Sequence, residues 1–192
     1  MNQIDRLLAA LLWLLGVLAI AGITHIVAVF ALPEIAAKDT YARISELAKP
    51  GQLTMPPSRP DKQVMPFADP AMVQSVCPFD LSQGGLRLHA DVEGGRLLTF
   101  SFRTSAGLAF YSMTDLAAQQ GKIAVVVLTA AQLEIVEAED DEDDPSQDLR
   151  LVAPEPQGFV IVSALAIYQS DRADAEARVK SVVCAVEQVA QD

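Results

Sequence analysis

Few side chains in this chain are equipped for acid–base or metal chemistry. It has two histidines, His25 and His89, and two cysteines, Cys77 and Cys184. His89 alternates with apolar residues between Leu86 and Val92, which puts its imidazole on the polar face of a strand. A general base or a metal ligand is one reading of that position. With no second histidine or thiol at zinc-ligand spacing, a surface histidine is the simpler one. His25 lies inside an apolar run, where Ala21, His25 and Ala28 fall at i, i+4 and i+7 and so share one helix face. Small residues beside a polar one let a second helix approach and offer the imidazole a partner, which makes these three a candidate helix contact. The alternative is a neutral histidine reaching up to the membrane interface.

Phe110 and Tyr111 are followed by Ser112, Thr114 and Asp115. Polar groups beside aromatics at a strand end suit a small ligand pocket built from Phe110, Tyr111 and Asp115. Asp115 is equally suited to cap a helix over Leu116 to Gln119. The acidic run Glu137, Glu139, Asp140, Asp141, Glu142, Asp143 and Asp144 offers oxygen ligands but lacks the glycine and alternating spacing of a calcium loop. Mutual repulsion favours an open, solvated segment there. Neither a Gly-x-Ser-x-Gly elbow nor a Gly-x-x-x-x-Gly-Lys phosphate loop occurs in the sequence. No catalytic residue, cofactor or metal is therefore expected.

The longest element is the run Leu7 to Leu32, free of Asp, Glu, Lys and Arg. As a helix it spans about 39 Å, against about 30 Å of bilayer hydrocarbon. It is much longer than the apolar core of a secretory signal and is not followed by a small-x-small cleavage site, so an uncleaved signal anchor is expected. The formal charge is −11, and setting the seven clustered acids aside leaves −4. No basic patch is visible, so nucleic acid is not an expected partner. The expected organisation is a tail (1–6), a transmembrane helix (7–32), a juxtamembrane helix with a proline-rich linker (33–68), and a water-facing domain (69–192), large enough for a single core.

The spacing of Ile35, Tyr41, Ile44 and Leu47 extends helix past the membrane. Prolines 50, 56, 57, 60, 66 and 70 then predict an extended strap. Asp69-Pro70 can start a short helix that carries Val73, Val76 and Cys77. Alternation predicts strands over Leu86–Val92 and Leu98–Arg103, with Gly94-Gly95 as a hairpin turn between them. A turn at Ser105-Ala106-Gly107, a strand over Leu108–Met113 and a buried strand over Ile123–Leu128 follow. Thr129 caps a helix, Leu149–Val152 is a short strand and Phe159–Tyr168 a buried one. A final helix is expected from Ser170 with a stripe running through Ala175, Val179, Val182, Val183, Val186 and Ala190. On that stripe Cys184 points outward, which a disulfide or an earlier helix end explains better than a free thiol. The fold class is α+β: a transmembrane helix, then a mostly antiparallel sheet with a C-terminal helix. An even cysteine count suits a disulfide in an oxidising space, and two separate buried thiols are the alternative.

The membrane helix, the strap, Asp69-Pro70 and Cys77-x-Phe79-Asp80-Leu81 together resemble the bacterial domain-of-unknown-function family numbered 1254, in its short single-span form. So do Phe100-Ser101-Phe102, Gly107, Phe110-Tyr111-Ser112-Met113-Thr114-Asp115, Leu128-Thr129-Ala130-Ala131-Gln132-Leu133, Phe159-Val160-Ile161-Val162 and the late Cys184. Thr114 stands where the pattern has an amide, and the Leu97–Phe102 strand lacks a tryptophan. The resemblance implies an inner-membrane protein with a periplasmic, disulfide-bonded domain that is associated with a sister family numbered 1214. A count of Lys and Arg argues the other way, with Arg6 before the helix and Lys38, Arg43 and Lys49 after it. The cysteines and the resemblance favour the periplasmic side. Three functions compete. The foremost is an interaction subunit docking on a sister membrane-anchored protein. The next is an envelope module binding a small ligand near Phe110, Tyr111 and Asp115. The last is an envelope hydrolase using His89.

Overall fold

A computed structural model describes residues 3–57, 69–93, 95–139 and 148–188, with residues 33–39 as backbone only. The chain forms two units, Met1–Lys38 and Asp39–Asp192. Helix α1, Gln3–Ser45, starts in the first and ends in the second. Within the first unit, Gln3–Leu32 is long and apolar enough to cross a membrane, and its most apolar stretch buries nothing against protein. Trp13 and Phe30 are each 78% exposed, the surface expected of a helix whose solvent is lipid. Thr24 Oγ1 donates to the Ile20 carbonyl at 2.9 Å, which satisfies this hydroxyl within the helix.

The second unit packs two four-stranded sheets over one shared core. The first sheet runs β1 (Met72–Asp80), β7 (Gln157–Leu165), β3 (Leu98–Thr104) and β4 (Ala109–Thr114) across its width, all antiparallel. The second runs β6 (Leu149–Val152), β5 (Lys122–Leu128), β2 (Gly85–Asp91) and β8 (Val183–Glu187). Its one parallel pair, β5 with β6, is joined through α2 (Ala130–Glu139). Thr129 and Gln132 bond reciprocally at the start of α2, backbone N–H to side-chain oxygen in both directions, a capping box that explains why the helix begins there. Helix α3 (Arg172–Lys180) follows β7 and buries Ala175 and Val179.

The alternation in β2 and β3 performs as its period demands: Leu86, Leu88 and Ala90 are buried, as are Leu98, Phe100 and Phe102. Yet β2 and β3 are not a hairpin. They lie in different sheets, so the Gly94-Gly95 segment crosses between layers, and Gly94 itself lies outside the described residues. A strand with one buried face has the same pattern in a hairpin and in a sandwich. The turn at Ser105-Ala106-Gly107 does join a hairpin, β3 to β4, with Gly107 at φ 88° and its N–H bonded to the Thr104 carbonyl at 2.9 Å.

Two further expectations are corrected. Met72–Asp80 is a strand, with only one turn of chain at Asp69, whose Oδ1 accepts from the Ala71 N–H at 2.8 Å. Val73, Val76 and Cys77 imitate helical spacing because β1 is buried on both faces. Val73, Cys77 and Phe79 enter the core between the sheets, while Val76 joins Ile44, Phe159 and Ile161 on the outside of the first sheet. That outer cluster is covered by the end of α1, through Ile44 and Tyr41. This cover also explains why β7 is apolar on both faces. The compact unit thus takes in residues 39–57, which the sequence reading assigns to the juxtamembrane helix and linker. The N–H groups of Gly51 and Thr54 donate to the carbonyls of Pro78 and Val76 along the outer edge of β1. The final helix stops at Lys180, and Val183–Glu187 is a strand rather than helix. The β-branched Val183 and Val186 favour the extended form, and the strand pairs with β2, Leu88 opposite Cys184, with Cys184 bonded to Cys77.

Candidate functional site

The cysteine pair is the first feature brought together: Cys77 on β1 and Cys184 on β8 form a disulfide that ties one sheet to the other. Both lie in the core, Cys77 fully buried. The bond suits an oxidising compartment.

On the apolar helix Gln3–Leu32, Ala21, His25 and Ala28 are all exposed and share a face. No hydrogen bond joins the His25 imidazole to another described residue. In water that costs nothing; in hydrocarbon a polar ring without a partner is unfavourable.

The aromatic residues on β4 do meet a third ring. Phe102 lies 6.3 Å from Phe110 and 6.1 Å from Tyr111, both tilted, the geometry ring quadrupoles favour. Asp115 stands apart from them, at the far end of a strand that rises about 3.4 Å per residue. Its Oδ1 accepts from the Leu98 N–H at 3.5 Å, tying β3 to the one-turn 3-10 segment Asp115–Ala117. The cap of that turn is Thr114, whose hydroxyl accepts from the Leu116 N–H at 3.3 Å. Here a threonine fills the capping role assigned to the aspartate. His89 sits half-exposed on the outer face of β2, its Nε2 3.9 Å from Asp91. No group of three or more His, Cys, Asp and Glu side chains converges as a metal site among the described residues. Asp140, Asp141, Glu142, Asp143 and Asp144 lie outside them.

The described concavities lie elsewhere. Two adjoining hollows, of about 360 and 400 Å³, share Arg96, Asp174 and Arg178. Asp174 is held by both arginines, Oδ1 to Arg96 at 2.6 Å and Oδ2 to Arg178 at 3.1 Å. Arg178 also donates to the carbonyls of Leu97 and Leu165, each at 3.2 Å. The cluster fastens α3 to the ends of β3 and β7, with the Arg178 guanidinium engaged inside the fold and Arg96 half exposed. The Arg96–Asp174 contact has no sequence signal because the two residues are distant in the chain and meet only in the folded domain.

Two titrating groups carry structural information. Burial raises the Tyr41 pKa, which keeps the hydroxyl a neutral donor to the Phe79 carbonyl at 3.2 Å. Partial burial of Asp80 works against its charge, but hydrogen bonds outweigh it and hold the carboxyl below its ordinary pKa. They come from Ser82 N at 3.0 Å, Ser82 Oγ at 2.6 Å and Gln157 Nε2 at 2.9 Å. The stability Asp80 supplies is therefore present above its unfolded pKa of about 3.9 and is lost as pH falls through its lower folded value. Asp80→Ala should cost about 1 kcal/mol at neutral pH, as for a lost cap, and shrink the difference between melts at neutral and acid pH. An unchanged acid dependence in the variant would remove Asp80 from that role.

No family model matches the chain, and no curated protein does. The VPA0106 protein of Vibrio parahaemolyticus is similar in fold, with a TM-score of 0.55 at 7% identity, over 82% of this chain and 39% of that one. An uncharacterised protein from Burkholderia cenocepacia gives 0.45 at 12% identity, over 70% and 35%. This chain spans about two fifths of the length of VPA0106, whose crystal structure extends the likeness to the fold alone.

Proposed function

We propose that this protein is a single-pass interaction subunit of the bacterial inner membrane, with its two-sheet domain in the periplasm. Its partner, on this reading, is a second membrane-anchored protein, and the resemblance to the 1254 family points to the sister family. The observation that carries the proposal is the Ala21–His25–Ala28 face. It lies on a helix with no protein cover, and it presents an imidazole that a neighbouring helix would satisfy. The Cys77–Cys184 disulfide supports the periplasmic side.

A photo-crosslinking residue tests this contact in intact membranes. Placed at Ala28 it is expected to capture the partner helix. Placed at Ile23, about 180° round the helix from the face, it is expected to capture little. Equal capture from both positions would mean that no face is preferred and would defeat the proposal.

A further inference from the structure

The Cys77–Cys184 disulfide crosses between the sheets on the side bounded by β1 and β8, each at the edge of its own sheet. Residues 49–55, a short way beyond the end of α1, run along that side. Thr54 exchanges two backbone hydrogen bonds with Val76, each of 2.8 Å, and the Gly51 N–H donates to the Pro78 carbonyl at 2.9 Å. Val76 and Pro78 are the two chain neighbours of Cys77. Gly51 also lies against the backbone of β8. A Cβ on it would come within 2.8 Å of the Val186 nitrogen and 3.4 Å of the Ala185 carbonyl carbon, the two residues after Cys184. Its φ of 74° and that close approach both call for glycine. Leu53 and Met55, partly buried, pack against the core cluster that holds both cysteines. The segment therefore meets both disulfide-bearing strands right beside their cysteines.

We propose that residues 49–55 are a lid over this disulfide, and that the lid opens with the two sheets still together to admit a dithiol reductant. The difference in attachment supports this. β1 is paired to β7 along all nine of its residues and buries side chains in the shared core, whereas the lid is fixed to β1 by three backbone hydrogen bonds. A loosely held segment opens before the core does. Cys184 is 9% exposed and Cys77 fully buried, so Cys184 Sγ is the sulphur that an entering thiolate reaches first. Attack there breaks the S–S bond, and Cys77 leaves as a thiolate and takes up a proton. The second thiolate of the dithiol then displaces Cys184 from the mixed disulfide. The dithiol ends as a disulfide, and the protein carries two thiols. Lid and disulfide thus form one redox-sensitive device, in which the lid sets the rate at which the covalent tie between the sheets is lost. The device does not depend on the His25 contact, so either can fail alone.

The test follows the rate at which dithiothreitol reduces the bond in the full chain in mild detergent, read by mass as alkylated thiols. In wild type the rate is expected to stay nearly flat in urea below the unfolding transition, because opening so short a segment exposes little surface. Thr54→Pro removes the N–H that donates to Val76 without altering either cysteine. It is expected to speed reduction about tenfold, with the same flat urea dependence. Gly51→Val, pressed off β8 by its own side chain, should act in the same direction. A wild-type rate that climbs with urea as steeply as global unfolding, or both variants reduced at the wild-type rate, would overturn the lid.

Discussion

Replacing Cys77 and Cys184 together with alanine is expected to destabilise the domain by about 4 kcal/mol, a melting shift of about 10 °C. The bond closes a loop of 107 residues, nearly the whole two-sheet unit, and an open chain regains that freedom on unfolding. It also joins the edge strand β8 to β1 through the core. Reductant should reproduce the loss only after the domain opens, because Cys77 is fully shielded and Cys184 nearly so. Thermal melts of wild type with and without reductant, beside the double variant, check this. A double variant within about 1 kcal/mol of wild type would show that the sheets hold without the link.

Gly158→Ala should be comparably damaging for a different reason. Gly158 lies in β7 with the Phe79 ring packed directly over it, and Phe79 is fully buried. A Cβ there would run into both that ring and the Arg103 carbonyl oxygen of the neighbouring strand. A ring can rotate away; a carbonyl held in a central ladder cannot. Overpacking usually costs about 1–3 kcal/mol, and this backbone clash places the substitution at about 3 kcal/mol or above. Adding Phe79→Leu should recover only part of the loss. Full recovery would mean that the ring alone fills the space.

Much of the fold is legible from local patterns, and the parts that are not share a cause. The strands at Leu86–Ala90 and Leu98–Phe102 each bury one face, and period two reveals them whatever sheet they join. Leu149–Val152 and the cap at Thr129 are as local as their sequence signals. The failures come where burial is two-sided or partners are remote. The stretch from Asp69 to Cys77 reads as helix because the end of α1 covers the second face of the strand Met72–Asp80, a tertiary fact invisible in the local sequence. Val182–Val186 reads as a helical stripe until β2 and Cys77 are in place. The long apolar helix needs only composition to be recognised. In the Arg96–Asp174–Arg178 cluster the Asp174–Arg178 pair is local, at i,i+4 on α3, but the Arg96 contact joins residues 78 positions apart and leaves no local trace.

The direct measurement of the interaction reading is native mass spectrometry of the full chain released gently from membranes, wild type beside His25→Leu. The account predicts that wild type carries a second membrane protein in fixed stoichiometry and that His25→Leu loses it while keeping its melting temperature. A wild-type chain free of any other protein, or a complex indifferent to His25→Leu, would contradict it.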